Sequence, residues 1–166
     1  MRKVAFIDTF DKIKKLITYV SSDTVYLFGF DCVNDTSSIS DYTFDTIEEA
    51  ENHCAETYNI HEDDWIIISE PCTGCQDDFI MPTKVKGREN GTPQWGQYQT
   101  LVNHKWIDIA ISNKSINFIG MTVKERLLVS GLLDEFDKAK INDKQKALKI
   151  LKAHGFDTDS INKIVA

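Results

Sequence analysis

The sequence predicts an α+β chain: a mainly antiparallel sheet with two helices in its N-terminal part, followed by a small C-terminal three-helix bundle. Three observations predict it. Short runs rich in β-branched and aromatic residues recur through the first two thirds of the chain. Two Thr-x-x-Glu boxes, Thr46 to Glu49 and Thr122 to Glu125, each open a stretch of helical periodicity. From Met121 onward strand signals stop altogether. The expected division is an acidic α+β sheet domain over 1–116 and a helical subdomain over 120–166.

Taken in order, residues 3–8 (KVAFID) read as a short strand. Asp8 or Thr9 can cap a helix on which Phe10, Ile13, Leu16, Ile17 and Val20 fall at helical spacing. Residues 24–33 (TVYLFGFDCV) read as a central strand, and Tyr42 to Phe44 as another after a polar loop. The box at Thr46 predicts a helix to about Tyr58 that buries Ile47, Ala50, Cys54 and Tyr58. Trp65 to Ser69 follows as a buried strand.

Beyond Pro71 the segments 83–86, 94–102 and 105–111 alternate between turn signals, which predicts an antiparallel meander. Asn90-Gly91 suits a left-handed turn, and Asn103-His104 a tight reversal between strands. The helical tail places Leu128, Leu132, Phe136 and Ala139 on one stripe. A second helix runs from about Asp143 to His154 and stops at Gly155; a third starts near Asp157. Three short helices are marginal alone, so docking on the sheet is expected.

Charge is distributed unevenly. The net charge is −7, yet no lysine or arginine occurs between Lys15 and Lys84. Residues 16–83 hold 15 acids, whereas the remaining 98 residues hold 19 bases and 11 acids, a net +8. Such a segment repels nucleic acid and anionic membrane and attracts a basic partner. No apolar run is long enough for a membrane span, and charges break up any export signal. The expected compartment is the cytoplasm, where Cys32, Cys54, Cys72 and Cys75 stay reduced.

The segment EPCTGCQDDFIMP, residues 70–82, is where chemistry would be sought first. A structural zinc wants four Cys or His ligands, usually as two close pairs, and here Cys72 and Cys75 form only one. A thioredoxin-like dithiol needs a helix N-terminus, but Pro82 follows too soon and Asp77 and Asp78 would raise a neighbouring thiol pKa. The simpler reading is a tight Pro-Cys-Thr-Gly-Cys turn with one or both cysteines as small buried hydrophobes. HEDDW at 61–65 lacks the second histidine of a zinc protease, and neither a phosphate-binding glycine loop nor a Gly-x-Ser-x-Gly elbow is present. No catalytic residue and no cofactor is expected.

Two stretches, GCQDDFIMPTKVKGRENGTPQWGQY (74–98) and MTVKERLLVSGLLDEFDKA (121–139), resemble small bacterial immunity proteins of polymorphic or contact-dependent growth inhibition toxin systems. The resemblance implies a cytoplasmic protein that neutralises a cognate toxin, commonly a nuclease, by covering its active site or substrate groove. It implies binding without catalysis. The charge argument agrees, because nuclease grooves are basic. The residues expected to meet a basic toxin are Glu62, Asp63, Asp64, Glu70, Asp77 and Asp78, with Trp65 and Phe79 as aromatic anchors. The competing expectation is a metal-binding or thiol-dependent enzyme centred on Cys72 and Cys75.

Overall fold

A computed structural model describes residues 1–7, 12–109 and 121–165. Its larger sheet has five strands: β1 (Arg2–Phe6), β2 (Lys15–Val20), β3 (Val25–Phe30), β4 (Ser40–Phe44) and β5 (Ile66–Ile68). They lie in the order β4-β3-β2-β1-β5, and every neighbouring pair is antiparallel. A second sheet is the expected meander, β6 (Thr83–Val85), β7 (Tyr98–Val102) and β8 (Lys105–Ile109). Asn103 and His104 both take positive φ, 48° and 62°, in the two-residue reversal between β7 and β8. The architecture is therefore α+β with antiparallel sheets, as predicted.

The first predicted helix is a strand. Leu16, Ile17 and Val20, placed on a helical stripe by their spacing, belong to β2, which pairs Ile17 with Val4 of β1 and with Phe28 of β3. Ile17, Thr18 and Val20 are β-branched and Tyr19 aromatic, which suits a pleated strand between two partners. The spacing i, i+1, i+4 does not by itself separate helix from strand. The capping residues Asp8 and Thr9, and Phe10, lie outside the described residues. The N-terminal part thus holds one described α-helix, α1 (Ile47–Tyr58).

α1 starts as the sequence requires. Thr46 Oγ1 accepts the Glu49 N–H at 3.2 Å, while the Glu49 carboxylate reaches back to the Asp45 N–H. It stops at Asn59, which turns left-handed at φ 56°.

The tail is helical, but in four pieces among the described residues: α2 (Val123–Val129), α3 (Leu133–Asn142), α4 (Lys144–Ala153) and α5 (Thr158–Val165). The expected first helix breaks at Gly131, φ 73°, where a β-carbon would sit 3.2 Å from that of Asp35 and 3.1 Å from Met81. The break changes which residues face inward. Leu128 is 54% exposed and Leu127 fully buried, contrary to the predicted stripe. The boundary expected at 116–120 falls outside the described residues.

Alternation along the strands divides the core in two. Val4, Ile17, Phe30, Ile66 and Ile68 pack with Leu127, Leu132, Phe136, Ile150 and Leu151 of the tail. Ala5, Leu16 and Leu27 point the other way, onto Cys54 of α1, Ile60 and Trp65. The helical tail and the sheet consequently share one hydrophobic core. No helix among the described residues is long and apolar enough to cross a membrane.

Candidate functional site

The structure separates the expected contact residues into three groups. Glu62, Asp63 and Asp64 form a short 3-10 turn and are exposed. Asp64 also accepts the His61 N–H at 2.9 Å, and the Asp63 carbonyl accepts from Lys149 Nζ of α4. Glu70 and Asp77 are exposed on the loop between β5 and β6, where Glu70 pairs with the N-terminal amine at 2.6 Å. Asp78, Trp65 and Phe79 are turned inward.

Trp65 is 8% exposed in the core under α1, and Phe79 is 2% exposed with its ring 5.7 Å from that of Tyr98. Both rings are consumed by the fold, so neither can anchor a partner on the surface. The reason is amphipathic: each ends a run of acids, and the chain turns the one apolar neighbour inward. Asp78 accepts the Ser38 N–H at 2.8 Å, and burial raises its carboxyl above the ordinary range. It holds a loop and does not face solvent as Asp77 does.

Asp78 belongs to a buried polar cluster that ties loop 31–39 to loop 69–82. Asp35 accepts the N–H groups of Ile80 and Met81 at 2.7 and 2.8 Å. Lys15 is fully buried, donates to the Asn34 carbonyl at 2.5 Å and lies 4.2 Å from the centre of the Phe30 ring. Burial pulls the Lys15 ammonium below its usual pKa, with Asp35 acting against it. Arg2 donates to the carbonyls of Ser69, Phe79 and Ile80. These groups are spent on holding backbone and are closed off from a substrate.

A Ser-His pair is also present. His154 Nε2 lies 2.7 Å from Ser130 Oγ, and its Nδ1 lies 2.7 Å from the Ile150 carbonyl. With a neutral ring, Nδ1–H donates to Ile150 and Nε2 accepts the serine hydroxyl. The spacing is that of an activated nucleophile. Both residues are buried, however, and Phe6 stands edge-on against the imidazole at 5.5 Å. The pair fastens α2 to α4.

At Cys72-Thr73-Gly74-Cys75 the structure has the expected turn, but neither cysteine is a buried hydrophobe: Cys72 is exposed and Cys75 half-buried. The Cys75 N–H donates to the Cys72 carbonyl at 2.9 Å and Gly74 takes φ 81°. Among the described residues, no group of three or more His, Cys, Asp or Glu side chains is placed to hold a metal ion.

The outside of α1 is a surface with one chemical character. Glu48, Asn52 and Glu56 follow at four-residue spacing and are exposed, with Asp45 and Glu49 at the helix start. Glu51, Asn52, His61 and Glu62 line one shallow cleft of about 250 Å³, so the 3-10 turn continues the helix face. Among the described residues no cation pairs with Asp45, Glu48, Glu56 or Glu62, while the inner edge is closed by Lys3 on Glu51. Glu48 and Glu56 are not among the contact residues expected from the sequence, which lie between Glu62 and Phe79. Their i, i+8 spacing on the polar side of α1 was the available signal. Compared with known proteins, the chain matches no family model, no curated protein and no solved structure.

Proposed function

We propose that the chain is a non-catalytic inhibitor, an immunity protein that binds a cognate basic toxin and occludes its active site or substrate groove. By the resemblance of residues 74–98 and 121–139, that toxin is a nuclease and the place of action the bacterial cytoplasm. The observation that carries the reading is the face formed by Glu48, Glu56 and Glu62, exposed carboxylates that no cation of the described chain neutralises. Unneutralised acids on a rigid helix steer a basic partner and disfavour wrong ones. They also match a groove built to hold phosphates. Glu70 and Asp77 are exposed acids on the separate loop after β5, Trp65 packs beneath α1 with Cys54, and Asp78 and Phe79 are held by Ser38 and Tyr98 away from that face.

The test is binding to the product of the adjacent gene. Affinity is measured by titration calorimetry for the native chain and for Glu48→Lys, Glu56→Lys and Glu62→Lys combined. Tight binding that the reversals abolish, and that Cys72→Ser with Cys75→Ser leaves intact, supports the reading. Equal affinity before and after reversal rules out the acidic face. Stoichiometric zinc lost on cysteine replacement would favour the enzyme alternative instead.

A further inference from the structure

The turn at Cys72 to Cys75 is unused by the acidic face, and its geometry has a chemistry of its own. Cys72 and Cys75 occupy the first and last positions of a β-turn closed by the 2.9 Å hydrogen bond between their backbones. Gly74 at φ 81° is the third position of a type II turn, a conformation that glycine alone adopts without strain. A β-turn keeps its end α-carbons within about 7 Å, which overlaps the range a disulfide spans. Cys72 is exposed and Cys75 half-buried.

Their surroundings are open on both sides. One cleft of about 170 Å³, lined by Glu70, Cys72, Cys75, Met81 and Lys138, lies toward α3. The other, lined by Thr73, Gly74, Cys75, Lys84 and Trp106, lies toward the second sheet. A small reagent can therefore reach both sulfurs. Cys32 and Cys54 are closed to it: both are buried, and burial pushes the Cys54 thiol up to about 12.

We propose that Cys72 and Cys75 are a redox modification site, a dithiol that closes to an intramolecular disulfide by exchange with a low-molecular-weight disulfide such as oxidised glutathione. The exposed Cys72 thiolate attacks one sulfur of the reagent, forming a mixed disulfide and releasing one thiolate, which takes up a proton. Cys75 then gives its proton to solvent and attacks Cys72 Sγ, expelling the second thiol. Two protein thiols are oxidised and one small disulfide is reduced to two thiols, a balanced two-electron exchange. Burial raises the Cys75 thiol, so it is the slower nucleophile and serves as the resolving partner. The ring closed spans four residues, too few to constrain the unfolded chain strongly. Such a bond is reversible and adds little to stability, which suits a sensor and not a structural staple.

The experiment uses the full reduced chain, incubated natively with oxidised glutathione, quenched in acid and alkylated in denaturant. Trypsin would leave all four cysteines on one peptide, because nothing between Lys15 and Lys84 can be cut. Cleavage at Asp and Glu separates Cys72 and Cys75 from the other two. The expected product has lost two hydrogen atoms, both on the fragment holding Cys72 and Cys75, with Cys32 and Cys54 alkylated. The variant Cys75→Ser should stop at one glutathione on Cys72. A lasting glutathione adduct on the native chain, a disulfide that includes Cys32 or Cys54, or no reaction would each overturn the proposal.

Discussion

Asp35 Oδ1 accepts the backbone N–H of Ile80 at 2.7 Å, joining two loops that are 45 residues apart in the chain. The same carboxylate takes the Met81 N–H and abuts Gly131 between α2 and α3. One buried acid therefore fixes the start of the meander, the base of the 70–82 loop and the bend in the helical tail.

Asp35 makes stability depend on pH. Burial raises its carboxyl to about 6, against the pull of Lys15 and of the Ile80 and Met81 amides. Between about pH 4 and 6 the folded chain holds a proton that the unfolded chain has released. This group's contribution is thus fully present below pH 4 and lost as pH rises through 6. The change is on the order of 3 kcal/mol. Urea midpoints of the native chain and of Asp35→Asn, measured from pH 4 to 7, should diverge, with the native chain falling relative to the variant. Parallel curves would show that Asp35 does not titrate in that window.

His154 acts with the opposite sign. Burial holds its imidazole below the usual 6.5, with Lys15 and Arg126 pressing the same way and the Ile150 carbonyl opposing them. The stability carried by the neutral ring is present above pH 6.5 and lost as pH falls through the lower folded value. Ser130→Ala removes the hydroxyl from Nε2 in a buried setting and should cost about 1–3 kcal/mol. Chemical denaturation at pH 7.5 measures the loss, and the NMR titration of His154 should show an inflection below 6.5.

Gly131 should tolerate substitution worse than Gly74, the other positive-φ glycine near the 70–82 loop. Alanine at φ 73° carries about 1–2 kcal/mol of backbone strain, and its β-carbon would also crowd Asp35 and Met81. Gly74→Ala faces the strain alone, because nothing lies within 4 Å of the position its β-carbon would take. Thermal melts should therefore rank Gly131→Ala below Gly74→Ala. Equal melting temperatures would mean that the Asp35 side yields to the new methyl.

These cases show what the sequence carried and where it ran out. Capping boxes are local, and both were legible: Thr46 accepts from Glu49, and Thr122 from Glu125. The reversal at Asn103-His104 was legible for the same reason. β2 was not, because its helix-like spacing is overruled by pairing with β1 and β3, which no window around Lys15–Val20 contains. The break at Gly131 escaped because the residues that exclude a side chain there, Asp35 and Met81, are remote in the chain. Among the acids, the charge imbalance was plain from composition. Which carboxylates were structural was not: Asp77 and Asp78 are neighbours, yet only Asp78 is recruited by a distant amide, that of Ser38.

Glu56 offers the sharpest separation of folding from binding. It lies in the last turn of α1, which has no basic residue, and the helix dipole there disfavours a negative charge. Glu56→Lys reverses that contact and should raise stability by about 0.3–1 kcal/mol, read from the denaturation midpoint. In the same variant, partner affinity should fall and its dependence on salt should weaken, since one attraction across the interface has become a repulsion. Glu48→Lys, at the opposite end of the helix, loses a favourable dipole contact and should fall in both measurements. If Glu56→Lys gains stability while binding is unaffected, the α1 face is a solvated surface and the partner docks elsewhere.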